Sequence, residues 1–262
     1  MCEKCLTEVD DKVRDVSRPF IYRFFSRYHI NTYEIFVFLS RYAKTPVIGI
    51  FIRWLGNRIS TYYQLTVVPL DVALDAIDKA NFLTIGDCPC RKVSGNCDPH
   101  EMCIFAGKAA ETWKKYSKLN LKRISKKQAR EHLIKNHKKG MINIIAACTT
   151  RDIYSICSCC RCCCLGVKFY LDCGIKKSLK KSPYIAHLIH DELGVKCSNC
   201  GACVKVCQEF FGARSIKNGK VIFDESKCMG CGRCIEVCKR TKIKTKRKPE
   251  FKFRNYEYKV KK

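Results

Sequence analysis

The sequence predicts an α+β protein with two cysteine-rich parts, and three observations predict it. Helix-period and strand-period segments alternate through residues 67–182, one four-cysteine spacing occurs twice in residues 195–243, and 22 cysteines lie in 262 residues. Hydrophobic residues make up 47% of the chain, which supplies a core and excludes a globally disordered polypeptide.

Residues 1–66 read as a helical, aromatic-rich region. Its apolar runs at residues 36–39 and 47–52 are interrupted by Arg41, Lys44 and Arg53. None reaches the roughly 18 residues of a membrane span. Core or subunit-contact helices are expected, with peripheral membrane contact the less favoured alternative.

Residues 67–182 read as a cysteine-rich α+β metal-binding domain. Leu70, Ala73, Leu74 and Ile77 recur at helical spacing, and Phe82 to Ile85 form a short apolar run that reads as a strand. Ser125 and Gln128 have capping-box spacing, so a helix should start there and stop near Gly140. Residues 141–147 then read as a second strand. Each helix-then-strand unit leads into a cysteine-rich segment, an order that brings the two segments together at one end of a sheet. Residues 176–181, charged and followed by Ser182 and Pro183, read as a linker to a smaller domain at residues 183–243. Residues 244–262 form a basic tail: after Cys238 there are twelve Lys or Arg against Glu250 and Glu257, with Phe251, Phe253, Tyr256 and Tyr258 interleaved.

No pattern of basic residues, apolar stretch and small-residue cleavage site opens the sequence, so a reducing, cytoplasmic setting is expected and disulfides are not. In that setting so many thiols are best used as metal ligands, and soft thiolates favour iron–sulfur clusters or zinc. The formal charge is +27. Clusters contributing about −2 each leave the chain strongly basic. That charge favours acidic partners. An acidic redox protein or larger redox complex is the expected partner; nucleic acid is disfavoured because no recognised reading module accompanies the basic tail.

Cys197, Cys200, Cys203 and Cys207 follow C-x2-C-x2-C-x3-C, and Cys228, Cys231, Cys234 and Cys238 repeat it 31 residues later. In this spacing three close thiolates wrap one cubane cluster and the fourth reaches the other. Paired zinc ribbons are the alternative, but zinc does not require this spacing twice over. Residues 195–243 thereby resemble the bacterial two-cluster ferredoxin family, and the resemblance extends to Gly201 and Gly232 after the second cysteine of each repeat. It implies two [4Fe–4S] clusters, one held by Cys197, Cys200, Cys203 and Cys238 and the other by Cys228, Cys231, Cys234 and Cys207. The family's proline after the fourth cysteine is Gln208 in one repeat and Lys239 in the other, and the 208–215 loop is longer than usual.

The upstream candidates are Cys88, Cys90, Cys97 and Cys103, and Cys157, Cys159, Cys160, Cys162, Cys163 and Cys164. Successive side chains diverge, so the second segment should face two sites or keep some thiols free. From about Phe82 onward the chain resembles cysteine-rich iron–sulfur proteins of archaea and anaerobic bacteria. That resemblance implies anaerobic redox work and names no reaction. At least one further iron–sulfur cluster is expected here, with a structural zinc site as the alternative. His100 is a candidate ligand or a solvated loop histidine, and Arg91 and Arg161 are candidate donors to cluster sulfurs. Cys2, Cys5, Cys148 and Cys173 are unassigned.

The sequence has no Walker phosphate loop, no Gly-x-Gly-x-x-Gly after a strand and no His-Glu-x-x-His. Phosphoryl and hydride transfer are therefore disfavoured. Electron transfer through the ferredoxin-type clusters to or from the upstream site is the expected function. The alternative is a reductase or activating enzyme whose upstream cluster meets a substrate.

Overall fold

The computed structural model describes residues 18–61, 63–148, 153–182, 184–188, 197–238 and 243–247. Cys2 and Cys5, and the expected tail beyond residue 247, lie outside the described residues.

The chain is α+β. Helices α1 (Arg18–Ser40) and α2 (Ile48–Ile59) precede strand β1 (Tyr63–Val68), α3 (Leu70–Lys79) and β2 (Leu83–Gly86). Then come α4 (Pro89–Ser94), β3 (Cys103–Ala106), α5 (Gly107–Tyr116), β4 (Lys122–Arg123) and α6 (Lys126–Lys138). Strands β5 (Ile142–Cys148) and β6 (Ile153–Cys159) and helix α7 (Leu165–Leu171) complete the larger part. All strand pairings in its six-stranded sheet are antiparallel, in the order β1-β5-β6-β3-β2-β4.

Side-chain alternation gives the sheet two unlike faces. Val68, Ile85, Ile104, Ile145 and Ile156 point to one face and pack under α3 and α6 through Ala73, Ile77, Ala129 and Leu133. Val67, Cys103, Phe105, Ile142, Ile144, Cys157 and Cys159 belong to the opposite clusters, with α5 and α7. A bulge in the β5–β6 pairing inserts Tyr154 as an extra residue between Ile153, opposite Ala147, and Ser155, opposite Ala146. The extra residue turns the Tyr154 ring to the cysteine face, against Phe105 and Trp113.

Helix α3 and strands β2 and β5 form where the periodicity places them, and Ser125 and Gln128 of α6 make both bonds of the capping box. Three expectations need correction. The division at residues 66/67 falls inside β1, whose pairing with β5 assigns residues 63–66 to the sheet. The expected linker is not free: Lys180 exchanges backbone hydrogen bonds with Leu65 and Val67, and Ser178, Leu179 and Ser182 are buried. Lys176 and Lys177 are exposed and Lys180 and Lys181 half-buried, while the backbone at Lys180 bridges to β1 at the sheet edge. Finally, of the two readings expected here, core or subunit-contact helices, burial in the core does not hold for much of α2, since Ile48, Ile50, Phe51 and Trp54 are exposed, as is Val47 just before it. Among the described residues no helix is long and apolar enough to cross a membrane.

The smaller part begins with β7 (Tyr184–Leu188), continues through α8 (Ala202–Gln208), the hairpin β8 (Arg214–Lys217) and β9 (Lys220–Phe223), and α9 (Arg233–Glu236), and returns in β10 (Ile243–Arg247). Strand β10 pairs antiparallel with β7, from Ile243 opposite Leu188 to Arg247 opposite Tyr184. The expected 243/244 boundary with the tail thus falls inside a paired strand.

Leu133 is fully buried between α6 and the sheet, whereas Ser125 acts only at the helix end. In anaerobic denaturant unfolding, Leu133→Ala should cost about 2–5 kcal/mol and Ser125→Ala about 1 kcal/mol. Equal effects would contradict this division between packing and capping.

Candidate metal centres

The upstream cysteines are brought together by strand geometry. Cys157 and Cys159 are two apart on β6, so they share a face, and Cys103 opens β3 directly opposite Cys157. The second cysteine segment therefore starts inside a strand rather than in a loop. Cys88 and Cys164 stand at the N-termini of α4 and α7, and Cys90 lies in the first turn of α4.

Six of these thiols close into a ring of hydrogen-bonding neighbours: Cys88, Cys90, Cys164, Cys159, Cys157, Cys103 and back to Cys88. The ionisation tendencies alternate around it. Bonds from Cys103 and Cys90 hold Cys88 low, and bonds from neighbouring thiols likewise lower Cys157 and Cys164. Cys90, Cys103 and Cys159 donate those bonds and are raised well above the ordinary thiol range. The ring lines a cavity of about 190 Å³ whose other walls include Tyr33, Phe36, Phe105, Trp113, Ile144 and Phe169.

The other four thiols make a separate group. Sγ atoms of Cys97, Cys160, Cys162 and Cys163 all lie within 4.8 Å of one another. Cys97 is 3.3 Å and Cys163 3.7 Å from Cys162. The second segment thus divides between two groups, parting at Cys159/Cys160 and again at Cys163/Cys164, while the adjacent Cys162 and Cys163 stay together on a turn.

Arg91 stands between the two groups, buried, with Nη2 3.8 Å from Cys160 Sγ and Nη1 donating to the Asp98 carbonyl at 2.8 Å. Arg161 goes elsewhere, to a two-bond pair with Asp172. His100 is not with the thiols: its Nδ1 lies 3.2 Å from the buried Asp87 carboxylate, which Lys92 also pairs at 2.8 Å. Burial works to raise Asp87, but these two partners prevail and hold it low. Cys173 points at the Ser40 carbonyl, and Cys148 ends β5.

In the smaller part, Gly201 and Gly232 are the N-caps of α8 and α9, with φ of 75° and 77°. This left-handed turn, open to glycine, redirects the chain between Cys200 and Cys203 and between Cys231 and Cys234. Cys203 has Cys197, Cys200 and Cys238 as charge neighbours, whereas Cys231 has Cys234, Cys207 and Cys228. Each group of four draws its fourth thiol from the other repeat. Burial pushes Cys231 up to about 12 and Cys234 up to about 11, so metal uptake must displace protons. Two crossed sets of four thiols, buried or half-buried except for the exposed Cys200, fit two [4Fe–4S] cores.

Arg214, which sequence reasoning did not single out, is 1% exposed and lies between these sets. Its guanidinium hydrogen-bonds Cys234, its charge reaches Cys203, and its backbone N–H bonds Cys207. The ring of Phe223 lies 4.6 Å from its guanidinium carbon. The only sequence signal was a basic residue at the end of an unusually long loop. Phe210 and Phe211 of that same loop pack with Met229 and Cys231 against Ile142, Ile144, Cys159 and Cys164 of the larger part.

A polar contact fixes the junction alongside. Arg233 donates to the His137 carbonyl at 2.6 Å, and His137, buried in α6, bonds Asn143 at 2.9 Å and lies 2.7 Å from Glu236. Gly230 permits the approach, since a Cβ there would lie 1.8 Å from the Tyr184 carbonyl oxygen.

A family model described as a 4Fe-4S dicluster domain matches residues 196–242. No curated protein and no solved structure matches the chain. The C-terminal cysteine repeats are therefore similar to a 4Fe–4S dicluster domain, and the wider likeness from Phe82 onward has no matched relative behind it.

Two outcomes test this geometry. Cys207→Ser should disturb the cluster served by Cys228, Cys231 and Cys234, and Cys238→Ser the one served by Cys197, Cys200 and Cys203, in reduced-state electron spin spectra of the single variants. Arg214→Gln removes a buried cation that favours the more negative, reduced clusters. It should lower their potentials by roughly 60 mV, equivalent to about 1.4 kcal/mol for one electron; an upward shift in a redox titration would contradict the assignment.

Proposed function

We propose that this chain is an iron–sulfur electron-transfer protein or subunit that relays electrons between its dicluster domain and an iron–sulfur centre held by the six-thiol ring. The observation that carries the reading is one continuous buried cluster. Met229, Phe210 and Cys231 from the dicluster side pack with Cys159, Cys164 and Ile144 from the ring side. Packed side chains exclude water from the space between the two thiol sets and hold their separation fixed.

Within that frame the residues have distinct tasks. The eight repeat cysteines hold two [4Fe–4S] clusters, which supply the one-electron chemistry. Arg214 offsets thiolate charge between them, and Arg91 does so beside the ring. A ring of six thiols that each meet two neighbours encloses a larger object than one ion, which favours a multi-iron core.

The acidic partner is part of the proposal. With a formal charge of +27, and twelve basic residues after Cys238, the chain would meet an acidic redox protein faster at low salt. A second reading, in which the ring itself reduces a substrate, is supported by the cavity, whose aromatic walls suit an apolar molecule.

Anaerobically purified full-length protein should carry iron and sulfide above the about eight of each that two cubanes account for. Joint replacement of Cys157 and Cys159 by Ser should bring both down to that level while the dicluster spin signals persist. A wild-type chain with about eight irons and no more would defeat the relay. Truncation after residue 247 should slow association with an acidic redox partner and flatten its salt dependence, measured by stopped flow across a salt series.

A further inference from the structure

The two upstream thiol groups differ in size, and the difference bears on what each can hold. A tetrahedral ion with metal–sulfur bonds of about 2.3 Å sets its four sulfurs about 3.8 Å apart. The group of Cys97, Cys160, Cys162 and Cys163 has this scale, with separations of 3.3 and 3.7 Å to Cys162 and all four thiols within 4.8 Å. No other set of three or more possible ligands among the described residues is gathered so closely. Among the described residues neither the dicluster thiols nor the ring of six supplies such a group. From this contrast we infer that Cys97, Cys160, Cys162 and Cys163 bind a single tetrahedral zinc ion, separate from every iron–sulfur centre of the chain.

The local backbone supports a closed four-sulfur site. Residues 161–163 form a turn, so the adjacent Cys162 and Cys163, whose side chains would diverge on a strand, reach the same point. Ser94 Oγ donates to the Cys163 carbonyl at 3.1 Å, and Asn96 Nδ2 to the Cys162 carbonyl at 3.2 Å. These bonds seat the loop after α4 on the turn before α7. Four thiolates around a divalent ion carry an excess of two negative charges, and the buried Arg91 guanidinium lies 3.8 Å from Cys160 to offset part of it.

The site clamps the ring. Cys88 and Cys90 lie at the start of α4 and Cys97 follows its end; Cys164 follows Cys163 directly. Zinc joining Cys97 to Cys160, Cys162 and Cys163 holds the two segments that deliver Cys88, Cys90 and Cys164 to the ring. With four protein ligands the ion has no open position, and zinc has no redox chemistry, so its role is to position ring residues.

The test counts zinc, iron and sulfide separately, so its failure is distinct from failure of the relay reading. Full-length protein purified anaerobically should hold about one zinc per chain, with four sulfur neighbours at about 2.3 Å in X-ray absorption at the zinc edge. Cys97→Ser and Cys162→Ser should each lower zinc by about tenfold or more while the dicluster iron and sulfide, about eight of each, stay in place, and Cys173→Ser should leave all three unchanged. If the serine variants do not fold, wild-type protein made with cobalt in place of zinc should show the visible bands of a tetrahedral thiolate cobalt ion. Zinc-free wild-type protein without such cobalt bands overturns the inference. So does joint loss of iron and sulfide from Cys97→Ser and Cys162→Ser with zinc retained.

Discussion

The period-two alternation of strand β6 is the constraint on which the rest depends. Because Cys157 and Cys159 are two residues apart, they project together, while Ile156 between them joins the hydrophobic layer under α3 and α6. A slip of one residue in the β5–β6 register would exchange these faces, burying thiols under the helices and turning Ile156 into the cavity. The register also sets Cys157 opposite Cys103 and Cys159 opposite Ile142, which places the ring against an apolar floor. The remaining ring members come from helix starts beside that face, where the chain has just left a strand or a turn.

Gathering so many thiolates concentrates negative charge, and the protein answers with few, well-placed cations. Arg91 and Arg214 are both nearly fully buried, each beside thiols from more than one part of the chain. A buried guanidinium is stable only where thiolate charge or carbonyls repay its lost hydration. Their positions therefore mark the gathered thiols as directly as the cysteines do. Among the described residues most other basic side chains are exposed, so they contribute to the positive field and not to the charge at the thiols.

Rigidity between the two halves follows from the same economy of contacts. The segment before the dicluster domain is hydrogen-bonded to β1, and Ser182 continues to the Met229 carbonyl. Arg233, Glu236 and His137 add a polar contact, and Phe210 and Met229 an apolar one. Such a junction suits a relay, since tunnelling over a fixed, water-free separation needs no domain motion.

Much was legible in the sequence because it is encoded locally. The α+β class, helix α3, the capping box at Ser125, the strands after Asn81 and Gly140, and the doubled cysteine spacing all depend on residues within a few positions of each other. The division of labour among Cys157, Cys159, Cys160, Cys162, Cys163 and Cys164 did not, because strand alternation sends the first two to the ring and a turn folds the next three onto Cys97. Residues 176–181 misled because their charge and breakers describe side chains, whereas their backbone is held by β1. Arg214 carries little local signal beyond its place at the end of a long loop: folding of the 208–215 loop brings this basic residue between two sets of thiols. Local sequence determined which elements form and which residues can bind metal; long-range packing decided which thiols meet, since proximity between distant residues is a property of the sheet and not of any single segment.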